Sequence, residues 1–304
     1  MLRSWKYDAG RNGDLGSGGR GDRMREIEVA VVTETVADLL QEGCYRLSDD
    51  VMNALKQAHE REESPAARHV LAKLRENATT AVRDAIPLCQ DTGMAVVFLE
   101  LGQDVHIVGG DLYAAVQEGT RRAYARGYLR KSVVDRPFSA RINTRDNTPA
   151  VIHTTIVPGE KLRITTLSKG FGSENMSRIA MMPPAKGRAG VIDFVVKCVD
   201  EAGANPCPPV IVGVGIGGTA EKCMLLAKQA LLRRVGDPHP DAEIAGLEAE
   251  ILKRVNDLGI GAMGYGGRIT ALAVHAEVFP THIASLPVAV NLQCHSVRHR
   301  ETIL

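Results

Sequence analysis

"NPCPPVIVGVGIGGTAEKCMLLAKQALLRR", Asn205 to Arg234, joins three patterns that predict local structure. Val210 to Val214 is fully apolar and predicts a short buried strand, which a run of glycines follows. Thr219 to Arg234 then carries apolar residues three and four positions apart, which is the spacing of a helix. A strand followed by a helix is typical of folds in which helices pack on sheets.

The same patterns divide the rest of the chain into a helix-rich beginning and a mixed remainder. Helices are predicted from Ile27 to Leu40, Asp49 to Glu60, Ala66 to Ala85, Asp111 to Tyr128, Arg188 to Ala202 and Ala242 to Leu258. Strands are predicted from Met94 to Leu101, Val105 to Val108, Arg268 to Val278 and Pro287 to Gln293, with two more on either side of the Pro158-Gly159 turn. We therefore expect an α/β (α+β) fold whose mixed sheets are flanked by helices, an arrangement that could form two lobes. The patterns leave the strand order open.

Composition argues against several classes of protein. The chain has 304 residues, 44% of them hydrophobic, and a formal net charge of +1. Neither nucleic acid nor a membrane is therefore expected as a partner, and no apolar run reaches the ~20 residues that span a bilayer. Residues 1–23 are rich in Gly, Arg and Asp without the apolar stretch of a signal peptide, which predicts a flexible arm before one domain at 24–304. Six cysteines without a secretion signal indicate a reducing, cytoplasmic location.

The six cysteines are of two kinds. Cys198 and Cys223 lie mid-helix among apolar neighbours, where a free thiol commonly packs as a small hydrophobe, and Cys44 in a helix-to-helix turn stays open. The other three lie at element ends beside polar or turn-forming residues: Cys89 in "PLCQDTG", Cys207 in "NPCPPV" and Cys294 in "LQCHSV". Because no Cys-x-x-Cys pair is present, spacing alone leaves a metal site and simple turn cysteines equally open. If these three held a four-iron cluster, one iron would lack a protein ligand and could act as a Lewis acid.

Two short motifs suggest activities that the rest of the chain does not support. Asp91-Thr92-Gly93 is the tripeptide of aspartic proteases, but the chain has no second copy to supply the paired carboxylate. Gly213 to Gly218, "GVGIGG", fits the glycine pattern of dinucleotide-binding folds. That pattern also needs an acidic residue about twenty positions on, at the end of a second strand, where this chain has a helix end and a proline-rich turn. The glycines are better explained by close packing or by amides presented to an anion.

Three further segments are candidates for binding an anion. Lys169 stands beside Gly170 and Gly172 in "LSKGFGSENMS", where glycines let amides approach a carboxylate, although an ordinary glycine turn explains them equally well. Arg130 closes a predicted helix, and complementing the helix dipole there is the favoured interpretation. His282 lies in a loop twelve residues before Cys294, where a lone histidine is usually only solvated.

Together these segments resemble a known family. The stretches "PLCQDTG", "LRKS", "NTRDNTPA", "KGFGSEN", "NPCPPVIVGVGIGG", "IGAMGYGG" and "THIASLPVAVNLQCHS" occur in order over roughly residues 27–300. They resemble the alpha subunit of the class I, iron–sulfur-dependent fumarate hydratase and L-tartrate dehydratase family. The resemblance implies reversible hydration of fumarate to (S)-malate by an oxygen-sensitive lyase, or alternatively dehydration of L-tartrate to oxaloacetate. Two rivals from other classes are a non-catalytic iron–sulfur sensor and an NAD-dependent oxidoreductase.

The resemblance also implies roles for individual residues. It assigns a [4Fe–4S] cluster to Cys89, Cys207 and Cys294. It assigns binding of a small dicarboxylate to Gln90, Asp91, Arg130, the Gly172 amide and His282, and it gives Asp91 the added role of orienting the acid/base group. In single-chain members a second domain follows and completes the site. We therefore expect this chain to need a separate beta subunit, and Phe171 and Glu174 in the glycine segment fit the two-subunit form.

Overall fold

The computed structural model describes residues 24–304, so the predicted flexible arm at 1–23 lies outside the described residues. The first half of the chain forms these elements: β1 (Arg25–Glu28), α1 (Val29–Tyr45), α2 (Asp49–Arg61), α3 (Pro65–Asp84), β2 (Met94–Gly102), β3 (Val105–Val108), α4 (Leu112–Arg126), β4 (Val134–Asp135), β5 (Ile142–Asn143), β6 (Val151–Val157) and β7 (Leu162–Lys169).

The second half alternates helices and strands more regularly. Its elements are α5 (Phe171–Glu174), β8 (Arg178–Met182), α6 (Gly187–Ala202), β9 (Val210–Gly217), α7 (Ala220–Ala230), α8 (Ala242–Asn256), β10 (Ala271–Phe279), β11 (Leu286–Gln293) and β12 (His299–Ile303), with single 3-10 turns at Pro184–Lys186 and Ala262–Gly264. None of the helices between residues 24 and 304 is both long enough and apolar enough to span a membrane.

The first large sheet has the strand order β12-β7-β2-β6. Strand β2 pairs antiparallel with β7 and parallel with β6, so the two consecutive strands joined at Pro158-Gly159 are separated in the sheet by β2. Helices α1 and α4 cover one face and bury a core that includes Val36, Val97 and Ile164. Burying such aliphatic side chains contributes about 1.5 to 3 kcal/mol each.

The second large sheet has the order β10-β9-β11-β8. Strands β9 and β10 run parallel, while β11 runs antiparallel to β9 and β8. Its core includes apolar residues of α6 and α8, among them Val195 and Ile251. Each large sheet therefore has its own hydrophobic cluster, which confirms the mixed α/β (α+β) class.

The glycines of "GVGIGG" do not form the loop expected after Val214, because β9 continues to Gly217. A Cβ on Gly213 would lie 2.1 Å from the Ala227 carbonyl oxygen, and one on Gly215 would lie 2.0 Å from that of Cys223. Real Cβ atoms never approach so closely, so these two glycines let α7 pack directly on β9. Close packing, rather than dinucleotide binding, explains the motif.

Short edge strands account for most of the differences from the predicted elements. The predicted helix from Ile27 instead starts at Val29, after β1, which pairs with β3. Strand β12 has the polar sequence "HRETI", without apolar alternation. It forms because it pairs antiparallel with β7. Cys198 and Cys223 are buried mid-helix, as their packing interpretation predicted.

Candidate active site

Four loops meet where the two large sheets approach each other. Met94, the first residue of β2, pairs with Lys169, the last of β7. Gln293, the last residue of β11, pairs with Ile211 near the start of β9. The Lys169 ammonium donates to the Leu292 carbonyl and so joins the two pairs. The segments before β2, after β7, before β9 and after β11 therefore converge. All three predicted cysteine ligands lie in these segments.

The turn at Asp91 to Gly93 is fixed from several directions. The Asp91 carboxylate accepts hydrogen bonds from the Gly93 N–H at 3.0 Å and from the Phe171 N–H at 2.9 Å. The buried Tyr124 hydroxyl donates to the Thr92 carbonyl oxygen at 2.7 Å. The Asn147 amide donates to the Gly93 carbonyl at 3.2 Å. This network holds Cys89 and Gln90, which immediately precede the turn, in one geometry.

Cys207 and Cys294 are brought together by the segment after β11. The His295 Nδ1 lies 2.9 Å from the Cys207 carbonyl oxygen, so this nitrogen carries the hydrogen that it donates. Cys207 itself has a φ of 56° in the left-handed region, which a non-glycine residue adopts at a cost in strain. Strain of this kind persists only where surrounding contacts enforce it, and functional sites are common among such places.

The three thiols are free, partly exposed and within electrostatic reach of one another. Burial raises the pKa of the Cys207 thiol, and the neighbouring Cys294, Cys89 and Asp91 raise it further. In residues 24–304, no three His, Cys, Asp or Glu side chains are grouped closely enough to hold a single metal ion. A four-iron cluster is larger than one ion and needs its thiolates farther apart. Three free thiols at converging loop ends are the donor type that iron–sulfur clusters use.

Lys169 does not face an anion-binding pocket. Its side chain is 1% exposed, and its ammonium donates to the Ser173 hydroxyl at 2.7 Å and to the Leu292 carbonyl at 2.8 Å. Burial lowers the pKa of Lys169 to about 8. The lysine thus joins the segment after β7 to the end of β11, which favours the structural alternative left open above over anion binding by this side chain.

The Gly172 amide lies in the first turn of α5, where N–H groups have no intrahelical acceptor. A Cβ on Gly172 would lie 3.1 Å from the Asn205 carbonyl oxygen, two residues before Cys207. The glycine segment therefore lies against the loop that carries the middle cysteine. This contact places an exposed amide beside the converging thiols.

Arg130 does not close a helix, because α4 ends four residues earlier at Arg126. The favoured interpretation, in which Arg130 complements a helix dipole, is therefore wrong. The Thr92 hydroxyl donates to the Arg130 carbonyl at 3.0 Å, which joins this exposed arginine to the turn beside Asp91. The structure thus brings Arg130 to the candidate site.

His282 is not brought to the same place. It lies in the exposed loop between β10 and β11, and the adjacent Thr281 donates to the Gly218 carbonyl at the far end of β9. The eight-residue β9 separates this loop from the cysteine end by roughly 23 Å, at about 3.3 Å per residue. Within one chain, His282 and Cys207 lie at opposite ends of strand β9. We call these two ends of the second sheet the His282 edge and the cysteine edge.

Comparison with known proteins identifies the family to which the chain belongs. The family described as "Fumarate hydratase (Fumerase)" matches residues 33–303. The chain belongs to the Fumerase family. Members of this family are hydro-lyases. A protein of Methanocaldococcus jannaschii named "Putative L(+)-tartrate dehydratase subunit alpha" is 40% identical over 272 residues, 88% of this chain and 95% of that protein. L(+)-tartrate dehydratase subunit alpha of Escherichia coli O157:H7 is 31% identical over 284 residues, 92% of each chain, and the protein of strain K12 matches equally well.

Several residues that shape this site are not evident from sequence patterns alone. Arg298 is 2% exposed and donates to the Asp91 carbonyl at 2.5 Å. Cys44, left open above, is fully buried behind Cys89, and its carbonyl accepts from the Leu88 N–H at 2.8 Å. Tyr124, in α4, reads in sequence as an ordinary helix residue. A basic residue four positions after the last cysteine was the only available signal for Arg298.

Proposed function

We propose that the chain is the alpha subunit of an iron–sulfur hydro-lyase that catalyses reversible hydration of fumarate to (S)-malate together with a separate beta subunit. The observation that carries this proposal is the convergence of three free thiols with the Asp91 turn and the Gly172 amide at one edge of the molecule. Membership of the Fumerase family supports the reaction class.

Cys89, Cys207 and Cys294 would hold a [4Fe–4S] cluster. When bound, such a cluster supplies a Lewis acid at the iron without a protein ligand, which polarises a substrate oxygen. Each of the three thiols lies at the end of an element whose neighbours anchor it, so the ligands are held ready before binding. We also propose that residues 24–304 form one domain and that the protein works in the reducing cytoplasm.

The remaining residues of the site would bind a small dicarboxylate. Arg130 offers a cation, the Gly172 amide and the Gln90 side chain offer donors, and fixed donors of this kind stabilise developing negative charge by several kcal/mol. Both oxygens of the Asp91 carboxylate are already oriented by backbone amides, which suits a residue that positions an acid/base group. A side chain of the beta subunit would exchange the proton at C3.

A separate beta subunit is supported by the names of the relatives. The Methanocaldococcus and Escherichia proteins are each named as a subunit alpha, and each is covered over more than nine-tenths of its length by this chain. The cations that complete the dicarboxylate site would come from the beta polypeptide. The predicted partner is therefore a protein, with no role for nucleic acid or membrane.

If His282 also binds substrate, another copy of the chain must supply it. The roughly 23 Å between its loop and Cys207 is too far for one side chain to reach. A symmetric assembly would place the His282 edge of one copy against the cysteine edge of another, since closed symmetry repeats the same contact in both directions.

L(+)-tartrate dehydration is the second candidate activity, because the relatives carry that name. Tartrate differs from malate by one hydroxyl group. A site that hydrogen-bonds this hydroxyl would reject malate strongly, whereas an apolar wall would hardly distinguish the two. The ratio of kcat/KM for L-tartrate to that for (S)-malate, measured with the beta polypeptide present, decides between them.

The decisive test of the proposal is iron and acid-labile sulfide in the anaerobically reconstituted chain, beside Cys→Ser variants at all six positions. We expect loss only in the Cys89, Cys207 and Cys294 variants, with the buried Cys198→Ser and Cys223→Ser chains as matched controls. Zinc in place of iron, or loss spread over the other cysteines, would refute the cluster. Full activity after exposure to air and removal of iron would refute it too.

Two rival functions have tests of their own. A non-catalytic iron–sulfur sensor would keep its cluster but show no hydratase activity with the beta polypeptide present, and it would not need Arg130. In the proposed enzyme, Arg130→Ala should keep the cluster and lose most of the hydratase activity, and unchanged activity would count against the substrate site proposed here. An NAD-dependent oxidoreductase should bind NAD in the micromolar range. No binding is expected, because the motif glycines are in contact with α7.

A further inference from the structure

Arg298 is a buried cation without a carboxylate partner. Its side chain is among the largest that are fully buried. Its Nε donates to the Ser168 carbonyl at 3.1 Å and its Nη1 to the Asp91 carbonyl at 2.5 Å, both of which are neutral acceptors. Across residues 24–304, no carboxylate oxygen lies within 4.0 Å of the guanidinium nitrogens. Burying such a charge is costly unless nearby negative charge compensates it.

The groups that raise the pKa of Arg298 are mostly cysteine sulfurs. Burial alone lowers the pKa of Arg298, but Cys294, Cys44, Cys89 and the Asp91 carboxylate together raise it above its ordinary value. Two of these three thiols are proposed cluster ligands. The guanidinium is therefore within electrostatic range of two proposed ligands, and its bond to the Asp91 carbonyl ties it to the loop that carries Cys89.

The backbone around Arg298 is shaped to admit the guanidinium. A Cβ on Gly170 would lie 2.5 Å from its Nη2 and 3.3 Å from the Asp91 carboxylate. The Arg298 carbonyl in turn accepts from the Ser168 N–H at 2.9 Å, so the residue is tied to the end of β7 through both backbone and side chain. Its position is fixed by the same segments that carry the substrate-site residues.

We propose that Arg298 is a positioning residue that acts as the fixed counter-charge of the three-cysteine cluster and locks the Asp91 turn against the glycine segment. The inference rests on the cluster proposed above. A cluster with thiolate ligands carries net negative charge, and reduction adds one more electron. A buried cation beside the ligands stabilises the reduced form more than the oxidised form and so raises the reduction potential.

The test compares Arg298→Lys with Arg298→Gln. Both substitutions remove the guanidinium that donates to two carbonyls at once, but only lysine keeps the positive charge. Iron and sulfide content, the midpoint potential from an EPR-monitored redox titration and the melting temperature of the iron-free chain are measured for each. We expect the Gln chain to have a more negative midpoint potential and about 10- to 100-fold weaker iron retention. The Lys chain should keep a midpoint near that of the wild type.

Arg233→Gln is the matched control, because this nearly buried arginine is paired with Glu248 and Glu277. It should lower the melting temperature without moving the midpoint potential. Equal midpoints in the Lys, Gln and wild-type chains would overturn the inference. Should the Gln chain fail to fold, a Lys chain with a strongly shifted midpoint would overturn it as well. A wild-type chain that binds no iron would instead refute the proposed function itself.

Discussion

The two edges of the second sheet differ in how firmly contacts from elsewhere in the same chain hold their functional residues. At one edge, Cys207 and Cys294 are held by a histidine-to-carbonyl bond and by contacts from the first sheet. At the other, the side chain of His282 only accepts a bond from the Ala284 N–H, two residues away in the same exposed loop. Long-range bonds hold the cysteine segments themselves, whereas at the second edge a long-range bond holds Thr281 and the His282 side chain makes only a local one.

This difference indicates which functional residues the fold of one chain holds in position and which need a second protein. The cysteine edge draws on segments from both sheets, so folding alone brings its thiols together. The His282 edge presents Ile283 at 90% exposure beside the histidine, with nothing from elsewhere in the described chain covering it. Such an exposed apolar residue beside a proposed substrate-binding histidine predicts that another protein surface covers this edge.

The largest expected effect separates the two edges directly. Cys207→Ser should abolish iron binding, whereas His282→Ala should retain full iron and sulfide yet lose about 10²- to 10³-fold in kcat/KM, the usual cost of removing one charge-stabilising donor. Both chains are assayed with the beta polypeptide. Parallel loss of iron in the His282 variant would show that the two edges are not independent.

Mixing these two variants tests whether His282 acts across copies. In a symmetric dimer, each mixed pair holds one site with an intact cluster and an intact histidine. Half of the dimers in an equal mixture are mixed, and half of their sites work, so about a quarter of wild-type activity should return. Activity that stays at the sum of the separate variants would show that His282 does not act across copies.

Periodic elements were predictable from the sequence because their burial is local. Strand β3 runs from Val105 to Val108 as predicted, and α2 starts at Asp49 as predicted. Strand β12 was not predictable, because "HRETI" has no apolar alternation and is ordered by the free edge of β7. The end of β9 was missed since its glycines read as a turn, while their actual role depends on α7.

The candidate site was predictable only in part for the same physical reason. The three cysteines stood out by their turn contexts. Arg298 did not, because a single arginine near polar neighbours reads as solvated, and its burial arises only when Asp91 and Ser168 converge on it. The role of Lys169 stayed open in the sequence for the same reason, since its burial depends on the distant Leu292 carbonyl.

A smaller effect should follow from crowding the cysteine edge. Gly170 has an ordinary φ of −71°, so alanine fits its backbone, but the added Cβ would lie 2.5 Å from the Arg298 Nη2. We expect Gly170→Ala to reduce iron retention and to destabilise the iron-free chain by about 1 to 3 kcal/mol.

Gly246→Ala is the matched control for that substitution. Gly246 lies exposed in α8, and an added Cβ would meet nothing within 4 Å. It should stabilise the chain by about 0.5 to 1 kcal/mol, since alanine loses less conformational freedom than glycine in a helix. Urea unfolding measures both changes, and equal effects of the two substitutions would show that the edge is not tightly packed.

Removing one hydroxyl behind the Asp91 turn should have a similar or smaller effect. Tyr124 is fully buried and donates to the Thr92 carbonyl, so Tyr124→Phe leaves that buried acceptor with one bond fewer, at about 1 to 3 kcal/mol. Tyr113→Phe is the control, because Tyr113 is 49% exposed and water can replace its bond to Thr154. A Tyr124→Phe chain as stable as the control would mean that the turn is held without this tyrosine.

The smallest effect near neutral pH concerns the interior of the second sheet, between the two edges. His275, in β10, is 2% exposed, and burial followed by the nearby Arg233 cation lowers its pKa to about 3. Between pH 6.5 and 3 the unfolded chain binds a proton at His275 that the folded chain does not. The stability that comes from the neutral, buried His275 is therefore complete above pH 6.5 and is lost as pH falls through that range. The free energy of unfolding should fall by under about 1 kcal/mol from pH 7 to 6 and by about 2 kcal/mol from pH 7 to 5. Urea unfolding of the iron-free chain at these three pH values should show a flatter dependence in His275→Gln than in the wild type, and identical slopes would place the acid sensitivity elsewhere.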